Sequence, residues 1–133
     1  MLAEFSESIR LFLHILGASV WVGGQLVLAL LVPMLRKRDP ELPRAVARAF
    51  NKIGWPAYGL LLITGMWNLA NPPETVTSAY QITIGIKMFL VVISGLSAYV
   101  HTKAKNPAAK AMWGALSGLS ALATMYVGVT LAG

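Results

Sequence analysis

Two ionisable side chains, His14 and Lys87, stand inside long apolar segments of the sequence. His14 is the only ionisable residue between Leu11 and Met34, a stretch that is long enough to cross a bilayer as a helix. A charged or titratable group at membrane depth is costly, so it mostly faces the interior of a helix bundle or a cavity. An imidazole can bind a metal ion or haem iron, and an ammonium can pair with an anionic ligand. These two residues therefore predict a functional site within a membrane.

The composition is typical of a membrane protein. Of the 133 residues, 56% are hydrophobic and 12% are charged, whereas about 25% of residues are charged in soluble domains. Four apolar segments are long enough, or nearly so, to span a bilayer, and their short connections predict an up-down order. We expect an all-α integral membrane four-helix bundle in a single domain. The expected helices cover about 9–35, 53–70, 79–100 and 112–132, and an amphipathic segment at about 41–52 lies on the membrane surface.

The positive charges predict the orientation of the chain. Nine of the eleven lysine and arginine residues lie in the connections that follow the first and third apolar segments. By the positive-inside rule these connections are cytoplasmic, and both termini lie outside. This topology explains the net charge of +6, so we expect no nucleic-acid partner. The expected location is a prokaryotic cytoplasmic membrane, crossed several times. Cysteine is absent, which excludes thiolate ligands and disulfides. The nine cations are Arg36, Lys37, Arg38, Arg44, Arg48, Lys52, Lys103, Lys105 and Lys110.

Counting from the outer ends of the predicted helices places several possible ligands at one depth. His14 and Lys87 lie at similar distances from the outer starts of the first and third helices. His101 lies at the other end of the third helix, about 25 Å from His14 along the membrane normal, so the two histidines cannot bind one ion. Three methionines fall near the layer of His14, Arg10 lies one turn above it, and Trp21 shares the face of His14. The methionines are Met66, Met88 and Met125.

Several short motifs resemble those of a known family. The first-helix residues His14, Gly17, Ala18, Trp21, Gly23 and Gly24 resemble the first helix of the copper-resistance D (CopD) membrane family. The segments 62–65 and 85–87 are similar to later helices of that family. The chain also resembles the related HemJ-type protoporphyrinogen oxidases, whose first-helix histidine and third-helix lysine match His14 and Lys87. This second resemblance implies a b-type haem with His14 as an axial ligand, although the Gly23–Gly24 pair is closer to the copper family.

Three functions stay open at the level of sequence. The first is a haem b protein with a redox or electron-transfer role, alone or as a subunit of a larger membrane complex, in which Arg10 and Lys87 pair with propionates. The second is a copper-handling protein that binds Cu(I) through His14 and methionine thioethers. The third is a structural membrane subunit without a cofactor, in which Lys87 extends towards lipid headgroups and the methionines fill the core. Haem is favoured because Lys87, Arg10 and the nearby glycines suit a flat anionic ligand better than a bare cation. Whether the chain is an oxidoreductase by itself stays open.

Overall fold

A computed structural model describes residues 4–132, which form four long helices and contain no strand. Helix α1 covers Phe5–Arg38 and includes a π-helical turn at Ser19–Gly23. Helix α2 covers Leu42–Leu69, α3 covers Ser78–Lys103, and α4 covers Pro107–Ala132.

Three of the helices are long and apolar enough to cross a membrane. They are α1, α3 and the Pro107–Leu131 part of α4. Helix α2 has the length but is not among the three, since glycine, proline, tryptophan and tyrosine dilute its leucines and isoleucines. The prediction of a multi-pass, all-helical membrane protein is confirmed. The bundle arrangement, the single domain and the outside position of the termini stay predictions.

The helices form two compact units, of which the first ends at Pro72 and the second begins at Pro73. In the first unit, α1 and α2 pack as an antiparallel hairpin at glycine contacts. A Cβ atom on Gly17 would lie 3.0 Å from the Ala57 carbonyl oxygen. Further along, the Phe50 ring fills the space beside both Gly24 and Gly54, where a Cβ atom on Gly54 would lie 2.7 Å from the ring. These close contacts hold the two helix backbones near each other.

Helix α2 differs from the prediction at its start. The residues expected to form a separate surface segment, 41–52, continue directly into the apolar part of the same helix. The physical reason is the packing of Phe50 against α1, which gives the apolar side of this segment a protein partner. Pro43 lies in the first turn, where a missing N–H costs little. Pro56 therefore lies in the helix interior and not near its start.

The π-helical turn changes which residues of α1 are buried. Trp21 is 4% exposed and Val22 is 5% exposed. A regular helix would turn Val22 away from the face of His14. A π turn holds more residues than an α turn, so it rotates the positions that follow. The Ser19 hydroxyl donates to the Ile15 carbonyl oxygen of its own helix at 2.8 Å.

The second unit is an antiparallel hairpin of α3 and α4 with a polar seam. Ser94 Oγ donates to the Ser117 carbonyl oxygen, and Ser117 Oγ donates to the Ser94 carbonyl oxygen, both at 3.0 Å. Both serines are 2% exposed. Small residues allow the helices to approach closely enough for these bonds. Thr77 caps α3 by accepting the Tyr80 backbone N–H at 3.0 Å.

Candidate functional site

His14 lies half-buried on α1 and is held by a side chain of α2. Its Nδ1 atom is 2.7 Å from Thr64 Oγ1. Thr64 is 1% exposed, and its hydroxyl donates to the Leu60 carbonyl oxygen at 2.7 Å. A hydroxyl has a single proton, so Thr64 accepts a hydrogen bond from His14 while it donates to its own helix.

This pair of hydrogen bonds selects one tautomer of His14. The proton of the neutral ring is on Nδ1, and the basic lone pair is therefore on Nε2. Histidines that bind metals commonly donate their other ring N–H to a fixed acceptor, which orients the ring and raises its basicity as a ligand. Thr64 supplies such an acceptor, because the Leu60 carbonyl fixes its hydroxyl.

Gly65 of α2 lies next to the ring of His14. A Cβ atom on Gly65 would lie 3.9 Å from His14 Cε1, so any larger side chain at this position would extend beside the imidazole. Arg10 lies one turn earlier on α1, and its Nε atom is buried without a hydrogen-bond partner. A cavity at this end of the hairpin adjoins Arg10. Its lining residues are Glu4, Ser6, Glu7, Arg10, Trp67 and Asn71.

Trp21 and Met66 lie in the same unit as His14. Trp21 packs against Trp55 and Tyr58, with ring centroids 5.2 and 4.7 Å away. Met66 follows Thr64 by two residues on a helix that turns about 100° per residue, so it points away from His14. It is 67% exposed.

The other predicted site residues belong to the second unit. Lys87 is half-buried on α3, and its Nζ atom lies 3.4 Å from the position of a Cβ atom on Gly128 of α4. The ammonium group thus rests against a glycine of the neighbouring helix. Met88 is half-buried, and Met125 is 41% exposed. The common depth of His14 and Lys87 stays a prediction.

His101 makes a contact that resembles that of His14. Its Nδ1 atom is 2.6 Å from the Lys110 carbonyl oxygen, to which it donates, and Lys110 Nζ donates to the His101 carbonyl oxygen at 3.1 Å. A Cβ atom on Gly114 would lie 2.9 Å from the same nitrogen. His101 thus connects the ends of α3 and α4 beside the turn between them.

The described residues, 4–132, contain no group of three or more histidine, aspartate or glutamate side chains that could hold a metal ion. Thr64 is the residue that the sequence reasoning missed. Thr64 is a polar residue in the apolar part of α2, at the depth of His14. Counting residues from the outer ends of the helices, which paired His14 with Lys87, would also have identified Thr64.

Comparison with known proteins decides the family. The sequence profile of the family described as "Copper resistance protein D" (CopD) matches residues 44–133. The chain belongs to the CopD family. It is also 29% identical, over 96% of both chains, to an uncharacterized protein from Aquifex aeolicus (strain VF5). No solved structure matches the chain.

The part of the chain matched by the CopD profile includes Thr64 and Lys87 but not His14 or Arg10. The family membership therefore rests on α2, α3 and α4. The first-helix motif that suggested CopD from the sequence lies outside the matched residues.

Proposed function

We propose that this CopD-family protein binds haem b through Nε2 of His14 and serves a redox or electron-transfer role in a prokaryotic cytoplasmic membrane. The observation that carries the proposal is the hydrogen bond from His14 Nδ1 to Thr64 Oγ1 at 2.7 Å. It puts the lone pair on Nε2 and fixes the ring with an acceptor that is itself held. The resemblance to HemJ-type oxidases supports the same assignment.

The residues near His14 fit an anionic, flat ligand. Arg10 has a buried Nε atom without a hydrogen-bond partner, and a guanidinium is a strong partner for a carboxylate such as a propionate. Gly65 places no side chain beside the imidazole. When bound, haem would supply one-electron redox chemistry. In this proposal residues of the first unit orient the ligand, and Arg10 compensates part of its charge. The pairing of Lys87 with a propionate stays a prediction from the sequence.

The sequence places Met66, Met88 and Met125 near the depth of His14, and a methionine as second axial ligand stays a prediction from the sequence. Of these, Met66 points away from Thr64 and His14. A partner protein in a larger membrane complex is a further proposal, since a redox cofactor needs an electron donor and acceptor.

A copper-handling role is the second candidate, supported by the description of the family and by the imidazole and thioether groups, which suit Cu(I). It would use the same Nε2 atom of His14. A structural role without any cofactor is the third. The three differ in what the purified protein carries.

An absorption spectrum of the detergent-purified protein separates these functions. Haem binding predicts a Soret band that responds to reduction and is lost in His14→Ala. His101→Ala is the matched control, because His101 also donates from Nδ1 to an acceptor on a neighbouring helix, and this variant should keep the band. Stoichiometric copper without a Soret band would support the copper function instead. A purified protein that carries neither copper nor haem would refute both cofactor-binding functions and support the structural role.

Thr64 provides a sharper test than removal of the ligand. Thr64→Val keeps the shape of the side chain but removes the acceptor, and loss of such an acceptor weakens metal binding about 10–100-fold. Thr64→Ser keeps the hydroxyl and should retain affinity near that of the wild type. The measurement is haem titration into the apo-protein. Equal affinities of the valine and serine variants would contradict the assigned role of Thr64.

A further inference from the structure

The first three turns of α2 carry exposed positive charges on one face. Arg44, Arg48 and Lys52 recur every four residues, and all three are exposed. Glu41 approaches Arg44 at 3.9 Å, and this is the only ion pair among residues 4–132. Arg48 and Lys52 are therefore not neutralised by any described acidic side chain.

The face that carries these charges points away from α1. Phe50 contacts α1 at Gly24. Arg48 precedes Phe50 by two residues and Lys52 follows it by two, so each is rotated by about 200° from the contact. Their side chains extend from the outer side of the hairpin.

The pairing of the two helices sets the depth of these charges. His14 of α1 meets Thr64 of α2, and Gly24 meets Phe50. In an antiparallel pair, the Gly24–Phe50 contact puts Lys52 and Arg48 beside residues of α1 that are about 9–13 positions before the end of its apolar segment at Leu35, or about 14–20 Å along the axis. The two cations thus lie alongside an apolar part of α1, and long basic side chains at such positions extend towards the lipid headgroups.

The same face of α2 becomes apolar one to three turns further on. Gly59 has no atom within 4 Å of a Cβ position, and Ile63 is 66% exposed. Two cations are thus followed along α2 by an open apolar strip, which is the arrangement of a phospholipid. Its headgroup would lie at Arg48 and Lys52, and an acyl chain would lie along Gly59 and Ile63. Charge complementarity favours a lipid with a net negative headgroup.

We infer that Arg48 and Lys52 form a binding site for an anionic phospholipid such as phosphatidylglycerol. The site uses neither His14 nor Thr64, so it is independent of any cofactor. A basic residue at the membrane surface contributes about fivefold to the binding of anionic lipid, which makes on the order of 25-fold for the pair.

The test compares the binding of spin-labelled phosphatidylglycerol and phosphatidylcholine to the full-length protein in phosphatidylcholine membranes. The wild type should prefer phosphatidylglycerol, and Arg48→Gln/Lys52→Gln should lose most of that preference. Arg36→Gln/Lys37→Gln removes the same amount of charge from the end of α1 and should keep the preference for phosphatidylglycerol. The single variants Arg48→Gln and Lys52→Gln, each expected to show about a fivefold loss, serve if the double variant does not fold.

Two results would overturn this site. If both double variants lost the preference equally, the lipid would be responding to overall charge and not to a site on α2. If the wild type bound the two lipids equally, there would be no anionic site. A loss of haem binding with intact lipid preference would leave this inference standing and refute only the proposed function.

Discussion

The adjacent glycines Gly23 and Gly24 give a direct test of how α1 packs on α2. A Cβ atom on Gly24 would overlap Cε2 of the Phe50 ring and lie 2.7 Å from Cζ, whereas a Cβ atom on Gly23 meets nothing within 4 Å. The ring cannot move away easily, because its other side lies against Gly54. Both alanine substitutions gain the same helix propensity, so this contribution cancels between them. The difference in the free energy of unfolding is then the cost of overpacking, about 1–3 kcal/mol.

The assay is reversible unfolding in mixed micelles with increasing SDS, followed by tryptophan fluorescence. We expect Gly24→Ala to unfold more easily than Gly23→Ala by that amount. Phe50→Ala removes the overlapping ring, and in this background the two alanine variants should become equal. Equal stability of Gly23→Ala and Gly24→Ala in the wild-type background would refute the close approach of α1 and α2, and with it the register used to place Arg48 and Lys52.

Two further predictions concern the second unit. Gly114→Ala should destabilise the protein by about 1–3 kcal/mol, because the new Cβ atom would lie 2.9 Å from His101 Nδ1. A Cβ atom on Gly85 would meet no atom within 4 Å, so Gly85→Ala should not destabilise the protein. Equal losses of unfolding free energy for the two variants in SDS would contradict the His101 contact. Ser94→Ala and Ser117→Ala should each cost about 0.6 kcal/mol and at most about 1.7 kcal/mol, the average and the maximum measured for hydrogen bonds between membrane helices. Each hydroxyl donates to a backbone carbonyl oxygen that the other substitution leaves in place, so the two losses should be nearly additive in the double variant. An unchanged stability of either single variant would contradict its hydrogen bond.

The apolar length of the sequence was enough to predict the helices, because spanning a bilayer requires a number of apolar residues that chance rarely produces. It was not enough to predict the start of α2. An amphipathic segment has the same pattern whether its apolar side meets lipid or another helix, and only the contact of Phe50 with Gly24 decides between them.

The candidate site was predicted in part. His14 was identifiable as an ionisable residue in an apolar helix, but its partner Thr64 carries no charge and has a common role in bonding its own helix. The burial of Val22 was not predictable, because no residue pattern in 19–23 distinguishes a π turn from an α turn. The family was recognised from motifs of several helices, and the match to residues 44–133 confirms it.

The π turn at Ser19–Gly23 separates α1 into two parts that can be aligned independently. On one side of the turn His14 faces Thr64 of α2, and on the other side Gly24 faces Phe50 of α2. Deleting a single residue from the turn would restore a regular helix and rotate one part by about 100° relative to the other. The chain would be one residue shorter and almost as hydrophobic, but it could satisfy only one of these two alignments. The extra residue therefore sets a fixed angle between the imidazole and the rest of the hairpin.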